Sequence, residues 1–322
     1  MIRFGVLGLG NIAHRFCRSL LLHQEAKLVA VASSDEKKQQ MFLERYHALW
    51  ATSDYQAVID SPEVDVVYIA TRHIDHARWV KAALNAKKAV LCEKPMALSE
   101  QETGELIALA KANHVFLMEA LKGYFIAGFQ SLKQDILVNQ VIGEIKKIEA
   151  SFCSTVPFQA GKYLFECGQG GALNDIGIYP LSLMEALLGS SYQTVSIVSR
   201  FHPKARVDSY FSATFVYPKG SIAYISGAID EDQPKTAVIT GTKGQVIVPF
   251  YYRPTEYTVV TSKGKTTKRI PLPFDDMYDE IQAVIDSLQA KEIEHPLYTH
   301  EKMRKLAHLQ DVIREQLVKS HD

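Results

Sequence analysis

The sequence predicts an α/β protein in two parts: a doubly wound parallel sheet at the N-terminus, then an α+β domain with an open, largely antiparallel sheet. Three observations carry this. Short apolar runs at residues 2–7, 28–32, 64–70 and 89–92 alternate with helical patterns, as strands buried on both faces do. A glycine-rich turn follows the first run without a gap. In the second half the strand-like segments succeed one another, and in Phe211–Tyr217 the apolar residues fall at every other position, as in a sheet with one buried face. We read residues 1–120 as the first domain and 121–322 as the second, with the C-terminal helix able to pack back on the first.

A chain of 322 residues is long enough for about two cores. Lys plus Arg and Asp plus Glu both number 36, so no basic excess draws the protein to nucleic acid or to an anionic membrane. No apolar run approaches the roughly 20 residues of a membrane span. Met1-Ile2-Arg3-Phe4-Gly5 runs straight into a strand, without the layout of a signal peptide. Cys17, Cys92, Cys153 and Cys167 are widely spaced, which suits neither a zinc site nor a disulfide framework, and we expect a reducing cytoplasm.

Ile2–Leu7 is the first strand, and Gly8-Leu9-Gly10-Asn11-Ile12-Ala13 leads from it into a helix with Ile12, Phe16 and Leu20 on one side. In strand, G-x-G-x-x-A, helix, the first glycine makes the turn and the second lets a pyrophosphate approach the backbone. The small Ala13 lets helix and strand pack closely, and the phosphates meet the helix N-terminus. The motif predicts a Rossmann-type, dinucleotide-binding domain. After the second strand, an NAD-preferring fold would carry Asp or Glu; here stand Ser33 and Ser34, with Lys37 and Lys38 a turn further on. The site is thus expected to take NADP, while Asp35 keeps NAD open; the same Ser33-Ser34-Asp35 also suits a helix cap.

Val64–Ala70 leads to Thr71, His73 and His76, read as loop residues walling the cofactor pocket; two histidines three apart with no third ligand make no metal site. Ala89–Cys92 ends at Glu93-Lys94-Pro95, which places the Lys94 ammonium at the carboxyl edge of the sheet, where such sheets hold their ligands. Val115–Glu119 is the last strand assigned to this domain.

In the second half, residues 146–152, 195–199, 211–217, 221–229 and 237–248 read as strands, with turns at Pro218-Lys219-Gly220 and Gly241-Thr242-Lys243-Gly244. Before most of them, Gly168, Gly170 and Gly171 approach Asp175 and Gly177. Tyr179-Pro180 then opens a helix ending at Gly189. Proline favours a first turn, so Tyr179 belongs at the helix N-terminus, where a phenolate gains from the dipole. Two amphipathic helices, with Tyr278, Ile281, Ile285 and Leu288 and with Met303, Leu306, Ile313 and Leu317, close the chain, and Pro271-Leu272-Pro273 is linker-like.

With Gly8–Ala13, Glu93-Lys94-Pro95 and the run Gly170-Gly171-Ala172-Leu173-Asn174-Asp175-Ile176-Gly177-Ile178-Tyr179, the chain resembles the Gfo/Idh/MocA oxidoreductases over nearly its whole length. Residues 88–96, Met118-Glu119-Ala120 and 241–244 resemble most closely the branch of dimeric dihydrodiol dehydrogenases and NADP-dependent D-xylose dehydrogenases. The resemblance implies that Lys94 and Tyr179 flank the reacting carbon, and that the sheet packs against its twin in a homodimer or higher homo-oligomer. The sequence departs where those relatives tend to line the substrate pocket with an aromatic residue and an arginine: here stands Leu121-Lys122-Gly123-Tyr124-Phe125, and the usual proline around Ala127 is missing. Ser34 stands where NADP-binding relatives often have arginine.

The expected activity is hydride transfer between the nicotinamide and a secondary alcohol or hemiacetal carbon of a sugar, cyclic polyol or dihydrodiol. Tyrosine and lysine both titrate near 10, so each needs the other to work at neutral pH. Tyr179 would exchange the proton while Lys94 polarises the oxygen, or the two would divide the work the other way. Asp175 would hold a substrate hydroxyl or orient the pair, and Glu93 would support the turn. A non-catalytic NAD(P) sensor of the same fold is the alternative, and it would not need both Lys94 and Tyr179. A sugar-nucleotide enzyme would call for a basic cluster that the sequence does not display.

Overall fold

The computed structural model describes residues 1–319. The chain separates into two compact units, one formed by Met1–Phe125 with Pro273–Arg304, the other by Ile126–Leu272 with the described chain from Lys305 onward.

The first unit begins β1 (Ile2–Leu7), α1 (Asn11–Leu20), β2 (Ala26–Ala32), α2 (Glu36–Tyr46), β3 (Trp50–Thr52), α3 (Tyr55–Asp60) and β4 (Val66–Ile69). It continues with α4 (His73–Asn85), β5 (Ala89–Glu93), α5 (Glu100–Asn113) and β6 (Leu117–Ala120). The six strands pair in parallel in the order β3-β2-β1-β4-β5-β6. The order reverses between β1 and β4, so the loops leaving their carboxyl ends splay apart and open the crevice where such sheets bind ligands. Val66–Ile69 and Val90–Cys92 are wholly buried, which is why these strands read as unbroken apolar runs.

The second unit starts with α6 (Ala127–Lys133), which widens into a π-helical turn through Val138. Next come β7 (Ile145–Cys153), α7 (Ala172–Ile176) and α8 (Ile178–Leu188). The rest of the sheet follows: β8 (Thr194–Phe201), β9 (Asp208–Val216), β10 (Ile222–Ala228), β11 (Thr236–Gly241), β12 (Gly244–Pro249), β13 (Glu256–Thr261) and β14 (Gly264–Arg269). Its order is β14-β13-β12-β11-β7-β10-β9-β8. All neighbours are antiparallel except β7 and β10, so the sheet is mixed; apolar alternation fixes the buried face of a strand but not the direction of its partner. The stretch 237–248 is two strands, because Gly241–Gly244 turns the chain. In β9, Phe211, Ala213 and Phe215 are buried and Ser212 and Thr214 are not, so α7 and α8 cover one face and leave the other open. Then come α9 (Tyr278–Gln289), in the first unit, and α10 (His300–Lys319), whose first turn belongs to the first unit and the remainder to the second.

Candidate active site

Gly8 and Gly10 meet different demands. Gly8 has φ +88°, and a Cβ on it would lie 2.5 Å from the Ala70 carbonyl oxygen at the end of β4, so no other residue fits there. Gly10 is exposed at the N-terminus of α1, its backbone is extended, and a Cβ on it would meet nothing within 4 Å. No side chain caps α1, so its first amides are left for a ligand. Asn11 is exposed, Ile12 half-buried and Ala13 fully buried against the sheet. A pyrophosphate fits such a cradle.

At the end of β2, Ser33 is buried and its hydroxyl accepts the Asp35 amide at 3.1 Å, while Ser34 is exposed. Asp35 caps α2: one carboxylate oxygen accepts the amides of Lys37 and Lys38 at 3.0 and 3.2 Å. The lysine side chains, Lys38 included, are exposed.

The histidines differ from the sequence expectation. Both lie in the first turns of α4 and are buried rather than in an open loop. His76 places Nδ1 2.8 Å from the Pro95 carbonyl and Nε2 3.1 Å from that of Thr71, so it ties the turn after β4 to the turn after β5. Burial holds its ring below the ordinary imidazole value, against the bond from Pro95. Thr71 itself is half-buried. Among the described residues no group of three or more His, Cys, Asp or Glu side chains could hold a metal ion.

Lys94 follows β5 directly, half-buried, and the Lys94–Pro95 bond is cis. Its neighbours are braced on both sides. Glu93 accepts the Tyr68 hydroxyl at 2.6 Å; burial and the Glu93 charge keep that phenol protonated far above the ordinary tyrosine range. Tyr68 stacks on Phe16 of α1 with centroids 3.7 Å apart, so the helix after the glycine-rich turn and the Glu93 turn share one support. Glu119 of β6 is buried, accepting the Met96 amide at 2.8 Å and the Tyr298 hydroxyl at 2.6 Å. Burial raises its carboxyl, while Tyr298, Met96 and the Lys94 charge pull it down. Sequence reasoning missed Tyr68 and Tyr298: Tyr68 lies inside an apolar run and reads as core, and Tyr298 stands in a polar stretch with no motif.

In the second unit, Tyr179 is the second residue of α8, directly before Pro180. Its ring stacks on Phe152 of β7 with centroids 5.0 Å apart and an 18° tilt, and Tyr252 lies against both. The Lys235 ammonium sits 5.4 Å from the Phe152 ring centre and the Arg253 guanidinium 5.4 Å from that of Tyr252. Asp175, half-buried on α7, accepts the Tyr163 hydroxyl at 3.2 Å. None of Phe152, Tyr252 or Tyr163 was foreseen, since each comes from a separate stretch with no motif of its own.

A reversing parallel sheet with a phosphate cradle and a lysine on one edge defines a dinucleotide-dependent oxidoreductase. Residues 2–121 match the model of the oxidoreductase family with NAD-binding Rossmann fold, and residues 129–247 that of the GFO/IDH/MocA C-terminal domain. Mouse trans-1,2-dihydrobenzene-1,2-diol dehydrogenase is 34% identical over 265 residues, 80% of this chain and 78% of that protein. The chain belongs to the Gfo/Idh/MocA oxidoreductase family. A 3-ketoreductase from Actinomadura kijaniata, crystallised with NADP and TDP-benzene, is 26% identical with a TM-score of 0.90, over 98% of this chain and 97% of that one. Further structures of that enzyme carry a replaced lysine or a replaced tyrosine. A levoglucosan dehydrogenase in complex with NADH and levoglucosan shares the fold, at 19% identity and TM-score 0.85 over 99% and 97% of the two chains. An NAD(P) cofactor is implied for this chain, together with a small-molecule substrate. Among the described residues no helix is long and apolar enough to cross a membrane.

Proposed function

We propose that the protein is an NAD(P)-dependent dehydrogenase acting on a CH–OH carbon of a sugar, cyclic polyol or dihydrodiol, with NADP as its preferred cofactor. The observation that carries the reading is the carboxyl edge of the six-stranded sheet: the open cradle at Gly10 lies after β1, and Lys94 follows β5, one strand beyond β4. Gly8, Gly10, Asn11, Ile12 and Ala13 would hold the pyrophosphate, Ser33, Ser34 and Lys38 the adenosine ribose, and Thr71, His73, His76 and Glu93 the nicotinamide end of the pocket. NADP is favoured because the Asp35 carboxylate is engaged with its own helix, leaving Ser34 and the two lysines to face a 2'-phosphate.

When bound, the cofactor supplies hydride chemistry. The chain's part is the proton. Tyr179, at the positive end of α8, exchanges it with the substrate hydroxyl, and Lys94 polarises that oxygen and favours the phenolate. Asp175 orients a second hydroxyl. The Phe152 and Tyr252 rings beside Tyr179, tilted 52° to one another, offer aromatic surface against which a sugar or dihydrodiol ring packs, which supports a cyclic substrate. A lysine and a tyrosine are also the residues replaced in the ketoreductase structures. We further propose a cytoplasmic homodimer formed through the open sheet face, where Val198 and Tyr224 are exposed on β8 and β10.

The test begins with fluorescence titration with NADPH and NADH, followed by a screen of aldoses, inositols and dihydrodiols for cofactor reduction. Tyr179→Phe should then slow turnover at least about a hundredfold with cofactor affinity retained. Wild-type turnover by that variant would refute the role given to Tyr179.

A further inference from the structure

The second glycine of the Gly170-Gly171 pair is matched to a buried acid that no motif announces. Asp208, the first residue of β9, is 8% exposed. One carboxylate oxygen accepts the Leu173 amide at 2.7 Å, which caps the first turn of α7, and the neighbouring Ala172 amide also favours the charged carboxylate. Gly171 has φ +94° and ψ 165°, and a Cβ on it would collide with this same carboxylate. The contact propagates along the chain. The Leu173 carbonyl accepts the Gly177 amide at 3.0 Å, Gly177 opens α8, and its own carbonyl accepts the Leu181 amide at 3.3 Å. Asp175 and Tyr179 follow Gly171 at intervals of four. From α10, Arg314 faces the same turn, donating to Asn174 Oδ1 at 3.0 Å, while Asn174 donates to the Gly170 carbonyl.

We propose that Asp208 is a positioning residue for the reaction: by holding the Leu173 amide it fixes the start of α7, and through the Leu173–Gly177 link it sets the placement of Asp175 and Tyr179. This rests on the role given to Tyr179 above. Asparagine at 208 can give the Leu173 amide an acceptor only by turning its N–H₂ group toward the other backbone amides that favour the charged carboxylate, and alanine gives no acceptor at all.

The experiment compares Asp208→Asn, Asp208→Ala and Tyr179→Phe with the unaltered full chain, assayed well below each melting point. Asp208→Asn should lower kcat at least about tenfold and shift the ionisation seen in the pH profile of kcat, and Asp208→Ala should lower kcat further. The NADPH dissociation constant should stay within about twofold of wild type. Wild-type kcat and pH profile in Asp208→Asn, beside a Tyr179→Phe slowed a hundredfold, would overturn the inference alone. A loss that merely follows the folded fraction, with the ionisation unmoved, would overturn it too. A fully active Tyr179→Phe would instead sink the proposed function. Amide exchange in the unaltered protein tests the cap without any variant: the Leu173 amide should be protected, and exchange at open-loop rates would remove the basis of the proposal.

Discussion

Gly8 and Gly10 stand two residues apart in one motif, and alanine at each should break a different property. At Gly8 the positive φ costs a side-chain-bearing residue about 1–3 kcal/mol. Driving a Cβ against the Ala70 carbonyl, held by its own amide bonding to Leu7 O at 2.8 Å, adds an overpacking cost of about 1–3 kcal/mol. Gly8→Ala should therefore lose about 2–6 kcal/mol and melt roughly 4–24 °C lower. At Gly10 the φ of −91° and ψ of −173° suit any residue and the Cβ meets open space, so Gly10→Ala should be neutral or gain about 0.4–1 kcal/mol from a less flexible unfolded chain. What it loses is the approach of the pyrophosphate. At an NADPH concentration about 100 times the wild-type dissociation constant, the ligand stabilises the wild type by about 2.7 kcal/mol; a tenfold weaker variant keeps about 1.4 kcal/mol, half the thermal shift. Differential scanning fluorimetry with and without NADPH, backed by fluorescence titration, reads both effects. A Gly10→Ala variant with wild-type affinity, or a Gly8→Ala variant melting within about 2 °C of wild type, would refute the division of labour.

Two further outcomes concern the supports behind Lys94. Glu280 is buried with its Oε1 unpartnered, and burial, reinforced by the Glu93 charge, raises its carboxyl well above the ordinary 4.5. Because the folded state holds this proton longer than the unfolded chain, the stability it confers is complete below the ordinary glutamate value and is lost as pH rises toward the folded one. Glu280→Gln should thus melt above wild type at about pH 8 but not at about pH 4, and an equal offset at both would contradict the sign. Tyr298→Phe deletes the hydroxyl that Glu119 accepts at 2.6 Å; urea unfolding should record a loss of about 1.5–3 kcal/mol, and a loss below about 0.5 kcal/mol would mean the bond contributes nothing.

The doubly wound sheet was legible because strands buried on both faces must be apolar throughout, as residues 66–70 and 89–92 are. The edge strands were not. β3 is three half-buried residues, and every residue of β14, Gly-Lys-Thr-Thr-Lys-Arg, is exposed, so neither imposes an apolar period on the sequence. The same limit governs the site. The positive φ of Gly8 and the helix start at Tyr179-Pro180 are local backbone requirements, and Gly10 belongs to the same short motif, so all three can be read from neighbouring residues. The Tyr68–Glu93 bond, the Glu119–Tyr298 bond and the Asp208 cap join residues 25, 179 and 35 positions apart, and only the folded topology brings them together.

Lys122 gives that limit a functional edge. In sequence it falls in the segment where the resembling dehydrogenases tend to line the substrate pocket and where this chain departs from them. In the fold its side chain is 13% exposed, with Nζ 2.7 Å from a carboxylate oxygen of buried Asp276, whose other oxygen accepts the guanidinium of Arg15 from α1. Burial pushes the Asp276 carboxyl up, but the Lys122 and Arg15 charges outweigh it, and the acid stays ionised. Removing one partner of such a buried pair is far costlier than removing an exposed charge. Lys122 is therefore held by the interior of the nucleotide-binding unit rather than left to a ligand. In the function proposed above, substrate choice would then fall on the aromatic group around Tyr179, where Phe152 and Tyr252 present faces and Lys235 and Arg253 present charge.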